Sequence, residues 1–387
     1  MADSPSHFAS IGLFTGIPQH ENFDRLHRLL PSSRMTASAT PHQFPDGPTL
    51  ELPATFEAFG QQVDTAEFIE RSDTAALLIL RDGEVVHEQY RLTGGRNVQW
   101  ISWSVAKSFI SALVGIAVEQ GHIRSISDPI SDYIDVEPGS AYDGVSIKDV
   151  LQMSSGARWN EDYSDRESDI VRLGAAMAPG GSLDHFVATA APDVAPGTVC
   201  QYNSTDTQAL GTLLVKATGR SITDYMQEFL YDPLGMESDG YWLLDPSGRE
   251  MAFGGLNLTA RDFAKLGELY RRGGEWNGRQ VVPAAWAAAS VVPDAPHLEW
   301  GRPVIAGGNL PDGYGYQWWL IPGGLGQFSA IGVYNQWVFV SPRDRVTIVK
   351  SSCTQSYGTT MDEPENMSGT HEFFLAALAA HVSATLG

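Results

Sequence analysis

Ser102-Trp103-Ser104-Val105-Ala106-Lys107 stands at the entry to the most apolar helical pattern in the chain, and its reading decides the fold. Downstream, Ile110, Leu113, Val114 and Ala117 recur at i, i+3, i+4 and i+7, and Phe109 and Ile116 widen the stripe until little polar face remains. A helix apolar on most sides is buried. Gly121 supplies a C-terminal stop. Ser104 and Lys107, three residues apart, share one face a single turn apart. An ammonium in such a place is costly unless it is paired; otherwise its pKa falls and it can serve as a base. Of the five lysines, only Lys107 has a serine three residues before it. Lys148, Lys216, Lys265 and Lys350 read as ordinary solvent-facing positions. Ser104 is therefore the candidate nucleophile and Lys107 its candidate activator.

The surrounding chain is long enough to bury a large core. It has 387 residues, 43% of them hydrophobic, including 16 Phe, 13 Tyr and 10 Trp. A net charge of −21 argues against nucleic acid and against anionic membrane surfaces as partners. Two cysteines, Cys200 and Cys353, are too few for a disulfide framework and fit a reducing compartment. Met1 to Gly12 lacks a basic and apolar signal pattern, and no stretch approaches the length of a membrane span. These features predict a cytoplasmic protein, and they leave a homodimer open.

Hairpin signals come first along the chain. Ala76–Leu80 and Val85–Tyr90 flank Asp82-Gly83, two strands around a tight turn. Residues 125–249 read as mostly helical, with capping signals at Ser146 and a helix opened by Gln201-Tyr202-Asn203-Ser204 that runs to Gly219. Thr259 caps another helix. Strand-like runs return at Tyr316–Leu320, Gln327–Ile331, Gln336–Val340 and Arg345–Val349, before a closing helix over 371–386. This order predicts an α+β fold: an antiparallel sheet built from both ends of the chain, flanked by helices, with a mostly helical insertion. The corresponding units are an N-terminal arm (1–65), an α/β domain (66–124 with 250–387) and the helical domain (125–249).

Several chemistries lack their motifs. There is no G-x-S-x-G elbow, no G-x-G-x-x-G or Walker A loop and no H-E-x-x-H pair. No nucleotide cofactor and no metal site is expected.

Ser104-x-x-Lys107, then Tyr202-x-Ser204 about a hundred residues on, then Ala330-Ile331-Gly332-Val333 on a late strand, resemble the serine β-lactamase and penicillin-binding-protein superfamily. Its motifs are S-x-x-K, Y-x-N or S-x-N, and K-T-G. The closer resemblance, over most of the chain, is to the 6-aminohexanoate-dimer (nylon-oligomer) hydrolases and family VIII-type carboxylesterases. It rests on Trp159-Asn160-Glu161-Asp162-Tyr163, Gln201-Tyr202-x-Ser204, Thr259-Ala260-Arg261-Asp262 and Ile331-Gly332-Val333 followed by Gln336 and Pro342. The resemblance implies that Ser104, Lys107 and Tyr202 act as one unit, with either Lys107 or Tyr202 as the base. It implies that Val333 lends its N–H to an oxyanion hole beside that of Ser104, and that Ser204 joins the proton network. Tyr163, Tyr334 and His371 fall where those hydrolases line their substrate pocket. Ala330-Ile331-Gly332 replaces the lysine-bearing K-T-G, Ser204 replaces an asparagine, and Tyr334-Asn335 replaces His-Gly.

The resulting expectation is a serine hydrolase that forms an acyl-enzyme on Ser104 and cleaves a small ester or linear amide. A β-lactamase or D,D-peptidase is the enzymatic alternative. A non-catalytic binding protein on the same fold is the alternative from another class.

Overall fold

A computed structural model of the chain describes residues 19–163, 165–301, 313–357, 363 and 365–387. The residues read for a signal pattern, Met1 to Gly12, lie outside the described residues. In chain order the strands used below are β1 (Ser32–Met35), β2 (Thr74–Arg81), β3 (Glu84–Tyr90), β4 (Trp100–Ile101), β5 (Gly240–Leu243), β6 (Leu256–Leu258), β7 (Gly313–Tyr314), β8 (Trp319–Leu320), β9 (Phe328–Gly332), β10 (Gln336–Ser341) and β11 (Val346–Ser352). The helices are α1 (Thr65–Arg71), α2 (Ala106–Glu119), α3 (Ile147–Leu151), α4 (Ser204–Thr218), α5 (Ala260–Arg271) and α6 (Ser368–Leu386).

The main sheet has seven antiparallel strands in the order β7-β8-β9-β10-β11-β2-β3. Its centre is the pairing of β11 with β2, which joins the late and early parts of the chain. Asp82 and Gly83, at φ 52° and 82°, make the two-residue turn between β2 and β3. Positive φ at both positions is the geometry that matches the twist of the flanking strands. Successive side chains along a strand point to opposite faces, and here both faces are covered. Leu78, Leu80, Val338, Val340 and Val349 pack in one cluster with Phe109, Phe263 and Leu266 of α2 and α5. Leu77, Ile79, Trp337, Phe339 and Ile348 pack in another with Phe68 of α1 and Phe374 and Leu378 of α6.

Helix α2 is buried from Ala106 through Ala117, as its apolar pattern requires. It lies between the sheet and α4, so the two helices that carry the candidate residues run against each other. Phe109, with no exposure, meets Phe263 in an edge contact, 6.1 Å between ring centroids. Deleting that ring would cost about 3–5 kcal/mol through lost burial and the cavity left behind.

A second sheet, unforeseen from the sequence, has the order β1-β5-β6-β4. Through it the N-terminal arm is tied into the fold: β1 pairs with β5, and Phe23 and Leu26 just before it are fully buried. Its strands are two to four residues long and pair over large sequence separations, so no local alternation marks them. This sheet leads into the Ser104 turn. β4 ends at Ile101, the Ser102 amide donates to the Leu256 carbonyl at 2.7 Å, and the chain then enters the turn that holds Ser104.

Candidate active site

Ser104 lies in a 3-10 turn, Trp103–Val105, which runs directly into α2. Trp103, immediately before it, has φ 44°, a conformation unusual for a bulky residue and held here by burial against Phe23 and Tyr334. Lys107 is the second residue of α2 and is 1% exposed. Its Nζ lies 2.8 Å from Ser104 Oγ, 3.1 Å from Ser204 Oγ and 2.9 Å from the Phe253 carbonyl oxygen. All three contacts are neutral oxygens. Burial therefore dominates and lowers the Lys107 pKa to about 8, against the opposing pull of the Glu161 charge.

Tyr202 and Ser204 come from the start of α4. Asn203 caps that helix by accepting the Thr205 amide at 2.8 Å. Tyr202 stacks on Trp319 of β8 at 5.0 Å and its ring sits 5.0 Å from Lys107 Nζ. Burial and the Glu161 charge push the phenol well above its usual range, while a hydrogen bond with Ser104 works the other way. Ser104, Lys107, Tyr202 and Ser204 thus meet from two helices about a hundred residues apart.

The end of β9 closes the site from another side. A Cβ added at Gly332 would stand 2.6 Å from the Ser102 carbonyl oxygen and 3.1 Å from the Ser104 amide nitrogen. Only glycine lets this strand approach the Ser104 turn so closely, and Val333 is the residue that follows it. The turn continues through Tyr334 and Asn335, at φ 62° and 65°. Asn335 is anchored by donating to Thr354 Oγ1 and the Asn366 carbonyl.

Glu161, quoted from sequence only as part of a motif, lies at the heart of this arrangement and is 3% exposed. Four donors converge on its carboxylate. The Ser204 amide (3.0 Å) and Trp159 Nε1 (2.6 Å) reach Oε2, and the Ser204 hydroxyl (2.7 Å) and Tyr163 hydroxyl (3.0 Å) reach Oε1. Its loop is held by the Asn160 amide on Asp169 and by Gln201 Nε2 on the Trp159 carbonyl. The Phe253 carbonyl is the other participant that motif reading could not supply, because a backbone oxygen leaves no signature in side-chain identity.

The substrate-lining expectations divide. Tyr163 is on the Glu161 carboxylate, next to the site. Tyr334 is buried against Phe23 and Trp103. His371 is not brought to Ser104. It lies on the α6 side of the sheet, fully buried, stacked on Trp337 and 2.8 Å from Lys350 Nζ. The expectation that four lysines face solvent is also corrected. Lys148 and Lys216 do reach the surface, paired with Asp294 and Asp135. Lys265 and Lys350 are fully buried, the first on Asp262 and the second between Ser72, Ser352 and His371. Among the described residues no cluster of metal-ligating side chains occurs, and no helix is long and apolar enough to cross a membrane.

The profile of the beta-lactamase family matches residues 65–366, most of the chain. The chain belongs to the beta-lactamase family. Among curated members it is 29% identical over 352 residues to the 6-aminohexanoate-dimer hydrolase of Paenarthrobacter ureafaciens, covering 85% of this chain and 84% of that one. Among solved structures it superposes on a Bacillus anthracis protein assigned provisionally as a 6-aminohexanoate-dimer hydrolase, with TM-score 0.84, 20% identity and 96% of each chain covered. A family VIII carboxylesterase gives TM-score 0.60 at 15% identity, over 81% of this chain and 94% of that one. This beta-lactamase-family chain is a serine hydrolase of the amidase and esterase type, and the fold implies the acyl-enzyme route.

Proposed function

We propose that this hydrolase cleaves a small ester or linear amide, with Ser104 as nucleophile and Lys107 as base. The observation that carries the proposal is the 2.8 Å contact between Lys107 Nζ and Ser104 Oγ, in a site where the amine meets only neutral oxygens. A serine hydroxyl becomes a competent nucleophile when an adjacent base takes its proton. The neutral Lys107 amine accepts the Ser104 proton as Oγ bonds to the substrate carbonyl carbon. The carbonyl oxygen, now negative, is held by the amides of Ser104 and Val333. Tyr202, kept as a phenol by burial, passes its proton to the leaving oxygen or nitrogen as that bond breaks, and recovers one from the Lys107 ammonium. Water then repeats the sequence on the acyl-Ser104 ester, releasing the acid and restoring Ser104.

The substrate class follows from what surrounds the serine. Trp159, Tyr202, Tyr314 and Trp319 contribute buried aromatic faces, suited to an apolar acyl or leaving group. Ala330-Ile331-Gly332 offers no cation where penicillin-recognising relatives carry a lysine. This favours neutral esters and amides over the carboxylate-bearing β-lactams.

The test uses the purified protein with a fluorophosphonate probe, a p-nitrophenyl acyl ester, a 6-aminohexanoate linear dimer and a chromogenic cephalosporin. Labelling at Ser104 with turnover of the ester or dimer is expected. Rapid turnover of the cephalosporin with none of the other two would reverse the assignment to a β-lactamase, and absence of labelling would leave a binding protein.

A further inference from the structure

Glu161 is a buried carboxylate that the proton transfers above do not use, although it is a single hydroxyl away from Lys107. Its four partners are all donors. Two of them, the Ser204 amide and the Trp159 indole N–H, have no other role to offer. A carboxylate in this position can only accept, so the Ser204 hydroxyl must spend its one hydrogen on Oε1, 2.7 Å away. Ser204 Oγ can then face Lys107 only as an acceptor, at 3.1 Å. The Phe253 carbonyl, at 2.9 Å, is likewise an acceptor by nature. A neutral amine has two N–H groups and one lone pair. With both hydrogens committed to Ser204 and Phe253, the lone pair is left in the third direction, toward Ser104.

We infer that Glu161 is a positioning residue which, through the Ser204 hydroxyl, fixes the orientation of the Lys107 amine and so aims its lone pair at Ser104. This rests on the reading of Ser104 and Lys107 as nucleophile and base. It assigns Ser204 a definite polarity: donor to Glu161, acceptor from Lys107. The charge of Glu161 has a second consequence, because it opposes the burial that lowers the Lys107 pKa.

Replacing the carboxylate by its neutral isostere separates the two effects. In Glu161→Gln the amide oxygen takes the place of Oε2, where the Ser204 amide and the Trp159 indole impose an acceptor. The NH2 then falls at the Oε1 position and donates to Ser204 Oγ. The Ser204 hydrogen is driven toward Lys107, and the amine turns its lone pair to Ser204 instead of Ser104. Meanwhile the lost negative charge lowers the Lys107 pKa further.

The test is the pH profile of kcat/KM on a p-nitrophenyl ester, together with the rate of fluorophosphonate labelling, for wild type, Glu161→Gln, Glu161→Asp, Ser204→Ala and the Ser204→Ala/Glu161→Gln double variant. The titratable groups around Lys107 are Glu161 and Tyr202, with Tyr163, Tyr357 and Asp206 coupled to Glu161 behind them. Asp206, raised by burial to about 7, can add its own inflection. The Asp206→Asn variant identifies that limb. Glu161→Gln is expected to lose on the order of 100-fold in plateau rate, the scale of a misdirected general base, and to move the midpoint to lower pH. Glu161→Asp should keep the wild-type midpoint because it keeps the charge. Once Ser204 is alanine, the glutamine change should cost only a few-fold, on the order of the residual coupling between partners whose bridge is gone. A fall in rate with an unmoved midpoint, or an equal cost with and without Ser204, would reduce Glu161 to a scaffold residue and overturn the inference. If Glu161→Gln does not fold, Ser204→Ala decides: wild-type rate in that variant breaks the route from Glu161 to Lys107. Failure of the wild type itself to label would instead remove the underlying assignment of Ser104.

Discussion

Gly332 and Ser104 approach so closely that a Cβ on the glycine would stand 3.1 Å from the serine amide nitrogen and 2.6 Å from the Ser102 carbonyl oxygen. Both obstacles are backbone atoms and cannot swing aside. Gly332→Ala must push the end of β9 away from the Ser104 turn and carry the Val333 amide, the proposed oxyanion donor, with it. Removal of one oxyanion donor typically costs about 10²–10³ in kcat. Gly332→Ala is expected to fall in that range, with the seven-stranded sheet intact by circular dichroism. Activity within a few-fold of wild type would show that Val333 does not serve the oxyanion.

If Lys107 is the base, it sets the pH dependence of the reaction. A base in that position works only when neutral, so on this proposal kcat/KM should rise with pH through a midpoint near 8, the value to which burial lowers Lys107. The same shift has a stability sign. Between about 8 and the ordinary lysine value of 10.5, the unfolded chain binds a proton at this side chain that the folded chain does not. Stability from this group therefore rises with pH across that window and is lost below it. Lys107→Met should accordingly abolish turnover while leaving Tm at pH 7 equal to or above that of wild type. Calorimetry alongside the pH-rate profile checks both halves, and a Tm well below wild type would contradict the second.

How much of this was legible in the sequence depends on the range of the interaction. The Ser104–Lys107 relation is local, set by helical periodicity, and so are the Asp82-Gly83 hairpin and the Thr259 cap, where the Asp262 amide meets Thr259 Oγ1. That the early hairpin and the late strands share one sheet was readable, because strand-like runs occur at both ends of the chain with helices between them; which strands pair, β2 with β11, was not. Glu161 was not readable as a member of the site, because its place depends on a loop folding against a residue 43 positions on. Lys350 was misjudged for a related reason. In Val346–Ser352 every residue is buried, since helices cover both faces of the sheet, and a lone lysine in such a run looks like a solvent-facing position until the cover is known. His371 came to the pocket by resemblance, but it packs behind the sheet instead, with Lys350 as its neighbour.

Tyr202 can be separated from its packing role. Tyr202→Phe keeps the ring that stacks on Trp319 and removes only the hydroxyl. If that hydroxyl supplies the leaving-group proton, kcat should drop by about 10²–10⁴ with little change in KM. The loss should be greater for an amide than for a p-nitrophenyl ester, whose leaving group needs less protonation. Equal, small losses on both substrates would make Tyr202 a wall residue.

Lys350 and His371 are a buried pair of basic side chains, with no carboxylate in hydrogen-bond contact among the described residues. Lys350 Nζ meets Ser72 Oγ at 3.1 Å, Ser352 Oγ at 2.5 Å and His371 Nε2 at 2.8 Å, above the Phe68 ring. His371 Nδ1 lies 2.6 Å from the Met367 carbonyl, so Nδ1 carries the hydrogen and Nε2 accepts from the lysine. Burial first, and then the Lys350 charge, holds the imidazole well below its ordinary value of 6.5. Burial likewise holds Lys350 well below 10.5, with the Asp73 carboxylate pulling the other way. The folded chain therefore resists a proton that the unfolded chain accepts as pH falls through 6.5, and stability should decline on that side. His371→Gln removes the titrating ring and leaves an acceptor for Lys350, so its Tm should depend less on pH between 7 and 5 than that of wild type. Lys350→Met removes the other cation and should flatten the same limb. Parallel Tm-versus-pH curves for all three proteins would place the acid sensitivity elsewhere, because neither change touches the Ser104 site on the opposite face of the sheet.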